Sequence, residues 1–345
     1  MTARIEIDLA AFVANLRTIR HTVAPAEHLL VVKDDAYGHG LAPIVQAAAD
    51  AGIGWFGTFD VATAVDVRRL TGPGPRIIAW TVYDDADVQA ALGADIELGL
   101  GTRELVRQAA AGGRAAGRPV RVHLKADTGL HRNGIRPEDW SDAVATARDA
   151  EAGGLLRVEG VWSHIAEASD AEDDASRAAF AHAASAFGGR PLLRHLAASA
   201  AAFARAEFRF DLVRIGAFAY GIRPAGGPDD AYLGIRPIAT LIAPVIAVDR
   251  QSVTLGIGYL DGLDSRLADR LDVATPAGSR RLREIGPTSS TVDGWDAASV
   301  GDDVALFGGR APNSATDIAE LLDTIGEEVV LRVSPRLPRH YRSVD

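Results

Sequence analysis

The chain of 345 residues contains no cysteine. That excludes disulfides, thiolate nucleophiles and sulfur-ligated metals, and leaves Lys, Ser, Tyr and carboxylates as the available nucleophiles. Long apolar runs are missing too. No segment approaches the roughly eighteen apolar residues of a membrane span, and the opening MTARIEIDLAAFVANLRTIR has acidic residues and no signal-peptide core. A cytoplasmic protein is expected, with no membrane partner. Positive charge is in deficit, 36 Lys and Arg against 46 Asp and Glu for a formal net charge of −10, so a surface that tracks nucleic-acid phosphates is not expected. The nine histidines show no H-E-x-x-H and no paired ligand spacing, so no metal site is expected.

What is present is an ordinary globular balance, 48% hydrophobic and 24% charged, on a chain long enough for a large α/β domain and a smaller second one. From residue 28 to about 217, eight short apolar runs alternate with Ala-rich helical stretches: HLLVVK, GWFGTF, RIIAW, IELGLG, RVHLKA, RVEGVWSH, LLRHLAA and DLVRIG. Eight such units over this length match a TIM (β/α)8 barrel better than a doubly wound sheet. The reason is that Lys33, Asp127, His164, Ser199 and Arg214 fall at or just after the carboxyl ends of different runs, where barrel active sites are assembled. After YGIRPAGGPDDAYLG the helical period fades, and ATLIAPVIAV, SVTLGIGYL, DDVALFG and EEVVLRVS read as strands. The expected organisation is α/β: a TIM barrel over 10–227 followed by a smaller β-rich domain over 228–345, with residues 1–9 as candidates to pair into it.

Lys33 ends the run LLVVK, which places an amine at the inner end of a buried strand. A lone lysine there usually snorkels to solvent. With desolvation or neighbouring positive charge it becomes a Schiff-base former. Ser199 in HLAASA and the glycine of RIGAFAYG follow the seventh and eighth strands, where barrels commonly bind phosphate. The N–H groups of Gly216 and Ala217, with the hydroxyls of Ser199 and Tyr37, suit a phosphate dianion. A reactive lysine, a phosphate cradle and a barrel together point to pyridoxal 5'-phosphate. The acidic run EASDAEDDASR reads as a solvated helix start, and GIGYLDG, with no helix after it, is not read as a nucleotide loop. His195 reads as a satisfied residue of the barrel interior, and His39 as a residue that orients the lysine loop. Trp80 and Trp162 read either as pocket walls or as core.

Five ordered segments, VVKDDAYGHG, ADTGLHRNG, GVWSHIAEA, HLAASA and FDLVRIGAFAYGIRP, resemble the motifs of the alanine racemases, and GYLDG and LPRHYR resemble them more weakly. The resemblance implies a racemase-like, pyridoxal-phosphate-dependent isomerase that acts on a small amino acid as a homodimer. It makes Lys33 the aldimine lysine and one racemisation base, and it places Tyr37, Ser199, Gly216 and Ala217 around the phosphate. Arg132 would lie near the cofactor phenolic oxygen, His164 beside the ring and Arg214, and Arg214 at the pyridine nitrogen. A guanidinium donates there without protonating the ring, which weakens the electron sink and limits side reactions. Lys125 corresponds to a lysine that can be carboxylated in the family; pairing with Asp127 is the other reading.

The same resemblance exposes departures. A two-base racemase needs acid/base groups on both faces of the substrate. The family's second group is a tyrosine in a Ser-Tyr-Gly segment, and here PVIAVD and GIGYLDG are separated only by RQSVTL. None of the six tyrosines, at 37, 83, 220, 232, 259 and 341, stands in that context, and Pro335 takes the place of a phosphate-binding tyrosine. The segment GPTSSTVD replaces a Cys-Met-Asp substrate segment. Three functions stay open at this point. The first is a racemase whose opposite-face base is replaced, with His131, Tyr232 and Tyr259 as candidates. The second is a one-base decarboxylase, eliminase or retro-aldolase, and the third is a non-catalytic cofactor binder.

Overall fold

The computed structural model describes residues 2–342, which divide into two compact units. One comprises Ile19–Lys33 and Ala48–Gly216; the other comprises residues 2–18, Asp34–Ala47 and 217–342. The strands, in chain order, are β1 (Arg4–Asp8), β2 (Glu27–Val31), β3 (Trp55–Asp60), β4 (Arg76–Thr81), β5 (Glu97–Leu100), β6 (Val120–Lys125), β7 (Leu156–Trp162), β8 (Leu193–His195) and β9 (Leu212–Ile215). They continue with β10 (Ala239–Val248), β11 (Ser252–Leu255), β12 (Asp272–Thr275), β13 (Gly278–Ile285), β14 (Ser290–Asp293), β15 (Asp303–Gly308) and β16 (Arg339–Arg342).

β2 to β9 form one eight-stranded parallel sheet in the order β8-β7-β6-β5-β4-β3-β2-β9. The two ends of that order meet. Asp211 N–H donates to the Arg194 carbonyl at 3.1 Å and Arg214 N–H to the Ala197 carbonyl at 3.2 Å, so the sheet is a nearly closed barrel. All eight apolar runs of the sequence are its strands. The helices between them start and stop on local chemistry: Thr102 caps Arg103–Ala116 and Gly117 ends it in the left-handed region, at φ 66°. The acidic run opens helix Asp170–Ser185, with Ser169 as cap and Asp170, Glu172 and Asp173 in the first turn, where the helix dipole favours negative charge.

Glycines decide how the barrel interior is filled. Alternate residues of a strand face inward, and Gly57, Gly99 and Gly160 leave their inward positions empty for large neighbours. A Cβ on Gly99 would stand 2.9 Å from Trp162, and one on Gly160 would stand 2.3 Å from His123 Nδ1 and 2.6 Å from the Leu193 carbonyl. The interior therefore holds Trp80, Trp162, His123, His195, Lys125 and Arg214 where a barrel usually packs branched aliphatics. Gly160→Ala should lower stability by about 1–3 kcal/mol through overpacking, read as a lower urea midpoint with an unchanged slope. An unchanged midpoint would mean that the His123 ring has room to move.

The other unit holds the remaining strands. β10 is long enough to pair with β15 along one half and with β11 along the other, shifting register at two irregularities. The circuit β10-β11-β14-β13-β12-β15 thus closes on itself, and β1 adds antiparallel to β10 and parallel to β16. One sequence expectation is corrected: EEVVLRVS is not a strand, because Gly326–Arg332 is a helix. Glu327 and Glu328 in its first turn favour the helix amino terminus, and burying Val329 and Val330 on one side outweighs their β preference. GIGYLDG forms a 3₁₀ turn, Tyr259–Asp261, followed by a second one, Ser265–Leu267, and by no α-helix.

Candidate active site

Lys33 stands two residues beyond β2, after Val32, and is half-buried. The backbone then does something that nothing in its residue types announces. Asp34, Asp35, Ala36 and Tyr37 all have φ near +54°, a left-handed turn in four consecutive residues that are not glycine. L-residues disfavour that region by about 1–2 kcal/mol each. Bonds inside this unit hold it: Gly38 N–H to the Asp34 carbonyl at 2.9 Å, Gly40 N–H to the Asp35 carbonyl at 3.0 Å, and Leu41 N–H to Asp35 Oδ1 at 2.7 Å. Arg339 Nε donates to the Gly38 carbonyl at 2.7 Å, and Tyr341 Oη donates to that of His39 at 3.0 Å. His39 Nδ1 meets the Ala36 carbonyl at 2.9 Å, the loop-orienting position expected of it.

In the barrel unit, four cations converge. Lys125, the last residue of β6, places Nζ 4.6 Å from the Trp162 ring centroid, and Arg214 Cζ lies 5.1 Å from the same centroid. His195 stacks parallel to Trp162 at 5.7 Å. Burial first, and then the charges of Arg214, Arg132, Lys125 and Lys33, push His164 down to about 2, so these five side chains share one neighbourhood. Burial, then Arg214 and Arg132, bring Lys125 down to about 8, with Asp127 opposing. Lys33 and Lys125 are the two lysines of the whole sequence, against 34 arginines, and both stand at the carboxyl end of the barrel.

Arg214 is fully enclosed, and burial, then the charge of Arg132, bring it down to about 9. Its Nη1 donates to the His195 carbonyl at 3.0 Å and faces His195 Nδ1 at 3.3 Å. Its Nη2 donates to the Ser163 carbonyl at 2.7 Å and the Leu196 carbonyl at 3.0 Å, and it faces His164 Nδ1 at 3.3 Å. The Nε–H carries none of these bonds. The barrel thus grips the guanidinium by its terminal nitrogens and fixes the direction of its remaining donor.

The loop after β6 presents Arg132. A bridge between Ala126 and Ile135 closes it, and at Gly134, φ +139°, an added Cβ would stand 2.7 Å from the Asp127 amide nitrogen. Thr128 Oγ1, bonded to Ser163 Oγ and Ser176 Oγ at 2.8 Å each, pins the loop to its neighbours. Asp127 turns to His131, Oδ2 to Nδ1 at 2.9 Å, and accepts from the Gly129 and His131 amides.

The structure thus brings Lys33, Arg132, His164 and Arg214 together with Lys125. Ser199 begins the short helix after β8, and Gly216 follows β9, at the same end of the barrel. Tyr37 and Ala217 belong to the other unit, where the Tyr37 ring lies 4.8 Å from that of Tyr220. Tyr232 and Tyr259 are exposed in that unit, and His131 is exposed on the barrel loop. The turn between β10 and β11 spans three residues and is closed by the Asp249 amide on the Ser252 carbonyl at 2.9 Å.

Sequence reasoning missed Glu97 and the partnership of His123 with His195. The one available signal was the two-residue spacing of His123 and Lys125, which puts both on the inward face of β6.

Residues 7–224 match the alanine racemase N-terminal domain, and residues 244–341 match the C-terminal domain. The alanine racemase of Thermobifida fusca is 38% identical, with 98% of each chain covered, and that of Streptomyces coelicolor is 35% identical, with 99% of this chain and 96% of the relative covered. The crystal structure of alanine racemase from D-cycloserine-producing Streptomyces lavendulae superposes with a TM-score of 0.92 at 33% identity, covering 100% of this chain and 98% of that one. The Streptomyces coelicolor alanine racemase structure gives 0.93 at 34% identity, covering 99% and 98%. With both domains matched in order around a barrel that carries the lysine, the histidine and the two arginines, the chain belongs to the alanine racemase family of pyridoxal-phosphate-dependent isomerases.

Proposed function

We propose that this protein moves the Cα proton of a small amino acid bound through pyridoxal 5'-phosphate, and that racemisation is its reaction. The observation that carries the reading is the grip on Arg214, whose terminal nitrogens are committed to the barrel while Nε–H keeps a set direction. The residues present fit the cofactor: a lysine of the barrel mouth to carry it, and cations at Lys125, Arg132 and Arg214 to surround an anionic group. When bound, pyridoxal phosphate supplies an electron sink that acidifies the substrate Cα–H.

Lys33 would hold the cofactor and would receive the Cα proton on its own face of the substrate. Arg214 would donate to the ring nitrogen while keeping its own proton, since even at about 9 its acidity stays below that of a group that would protonate a pyridine outright. His164, neutral at working pH, turns Nδ1 to Arg214 Nη2 as an acceptor. Arg132 would balance negative charge on the ring side, and Ser199 with Gly216, both at the carboxyl end of the barrel, would receive the phosphate. The family resemblance supports a cytoplasmic homodimer, and among the described residues no helix is long and apolar enough to cross a membrane.

The three-residue β10–β11 turn favours a second reading, a one-face enzyme in which Lys33 both removes and returns the proton. The two readings part in deuterium oxide. With L-alanine and other small amino acids, racemisation gives deuterium at Cα together with the opposite enantiomer, at rates within about tenfold of each other. Deuterium entering with retained configuration rejects racemisation in favour of one-face exchange, and the absence of any exchange rejects both.

A further inference from the structure

A line of buried polar groups crosses the barrel interior from Arg214, linking side chains of β9, β8, β6 and β5. Glu97, the first residue of β5, is fully enclosed. Arg76 clamps it, Nε to Oε1 at 2.6 Å and Nη2 to Oε2 at 2.7 Å, while Arg121 Nη1 approaches Oε1 at 3.2 Å. His123 Nε2 reaches Glu97 Oε2 at 2.6 Å, His123 Nδ1 reaches His195 Nε2 at 3.0 Å, and His195 Nδ1 faces Arg214 Nη1 at 3.3 Å. Both imidazoles are completely buried.

The proton positions follow from the ends of this line. Arginine only donates, so His195 Nδ1 facing it must be an acceptor. Burial keeps His195 neutral, so its single proton is on Nε2, where it donates to His123 Nδ1. His123 Nδ1 is therefore an acceptor, its proton is on Nε2, and Glu97 receives it. Donors point in one sense from Arg214 to Glu97.

We propose that Glu97 is a positioning residue for Arg214: acting through His123 and His195 it locks both imidazoles in the Nε2–H form, so that a lone pair meets the guanidinium and its Nε–H is left for the cofactor ring. The inference rests on the function proposed above. A carboxylate is required at that end because it only accepts. Burial would raise the Glu97 carboxyl, but the bonds from His123 and Arg76 outweigh it and hold it at about 2, so it remains ionised. An amide in its place has an accepting end and a donating end. Two donors, Arg76 Nε and Arg121 Nη1, meet at the Oε1 position against one, Arg76 Nη2, at Oε2, so the accepting end settles at Oε1 and the amide N–H₂ turns toward His123. His123 and His195 would then both switch to Nδ1–H, and two donors would collide at Arg214.

The test is nitrogen NMR of the histidine rings in protein without cofactor and in holoenzyme, followed by Glu97→Gln. In the unaltered protein both rings should be neutral Nε2–H forms, and in Glu97→Gln both should move to Nδ1–H. The kcat for Cα-deuterium exchange should fall by about tenfold, with KM within about twofold, because ring electronics change and substrate contacts do not. An Nδ1–H form or a charged ring at either histidine of the unaltered protein overturns the proposal, as does full kcat in a Glu97→Gln enzyme that folds and loads cofactor. The rings are read without cofactor and without any variant, so the inference is judged even if Glu97→Gln does not fold. Absence of exchange in the unaltered enzyme instead strikes the proposed function.

Discussion

Lys33→Ala is expected to remove the visible absorbance that a lysine-bound pyridoxal phosphate gives, and to lower Cα-proton exchange by about 10⁴-fold. The melting temperature of the cofactor-free protein should stay within about 4 °C, because a half-buried side chain at a strand end contributes little to packing. The near-absence of lysine makes the experiment sharp. Borohydride reduction of the holoenzyme, followed by peptide mapping, has two side-chain targets, Lys33 and Lys125. Lys125, brought down to about 8, carries more free amine at neutral pH than an ordinary lysine, yet it sits against Trp162 inside the barrel. Label on the Lys33 peptide alone is expected. Label on Lys125 would reverse the assignment and leave Lys33 as a charged neighbour.

Acid should unfold this protein early. His28, His39 and His195 are buried and neutral; burial pushes His28 to about 3, His39 to about 4, and His195 well below its ordinary value of 6.5. Above about pH 6.5 neither folded nor unfolded chain binds protons at these rings, and stability is complete. Below it, the unfolded chain takes up protons that the folded one refuses, and each ring removes about 1.4 kcal/mol per pH unit until its folded pKa is reached. Three rings give a limiting loss of about 4 kcal/mol per unit, against a total stability of about 5–15 kcal/mol. Half-buried His164, brought down to about 2, adds to this loss. Below 4.5 Glu97 adds a further loss as its folded value of about 2 is approached. Urea unfolding followed by circular dichroism at a series of pH values should show the midpoint falling steeply from pH 6 to pH 5. A flat midpoint over that interval would mean that water reaches these rings.

The barrel strands were legible because each is a short apolar run bounded by turn or helix-stop residues, and a strand buried on both faces has no other composition available. Lys33, His164 and Arg214 were legible because polar residues at strand ends interrupt that pattern, whereas Arg132, in the loop after β6, was reached only through the family resemblance. Gly326–Arg332 was misread because Val329 and Val330 suit a strand locally, and the burial that decided for a helix involves residues far away in sequence. The left-handed turn at Asp34–Tyr37 was not legible at all. Its bonds to Arg339 and Tyr341 come from some 300 residues downstream, and the local sequence shows only that a glycine follows.

By itself the sequence determined which residues are available to react: no thiol, two lysines, and a histidine and an arginine placed where strands end. Those follow from composition and from the period of two along a strand. Tertiary structure alone decided who faces whom. Glu97, His123, His195 and Arg214 come from four different strands, and each residue's own strand fixes only that it points inward. Their partnership depends on the stagger between strands, and on Gly160 leaving room for the His123 ring, a geometry set by closure of the whole sheet.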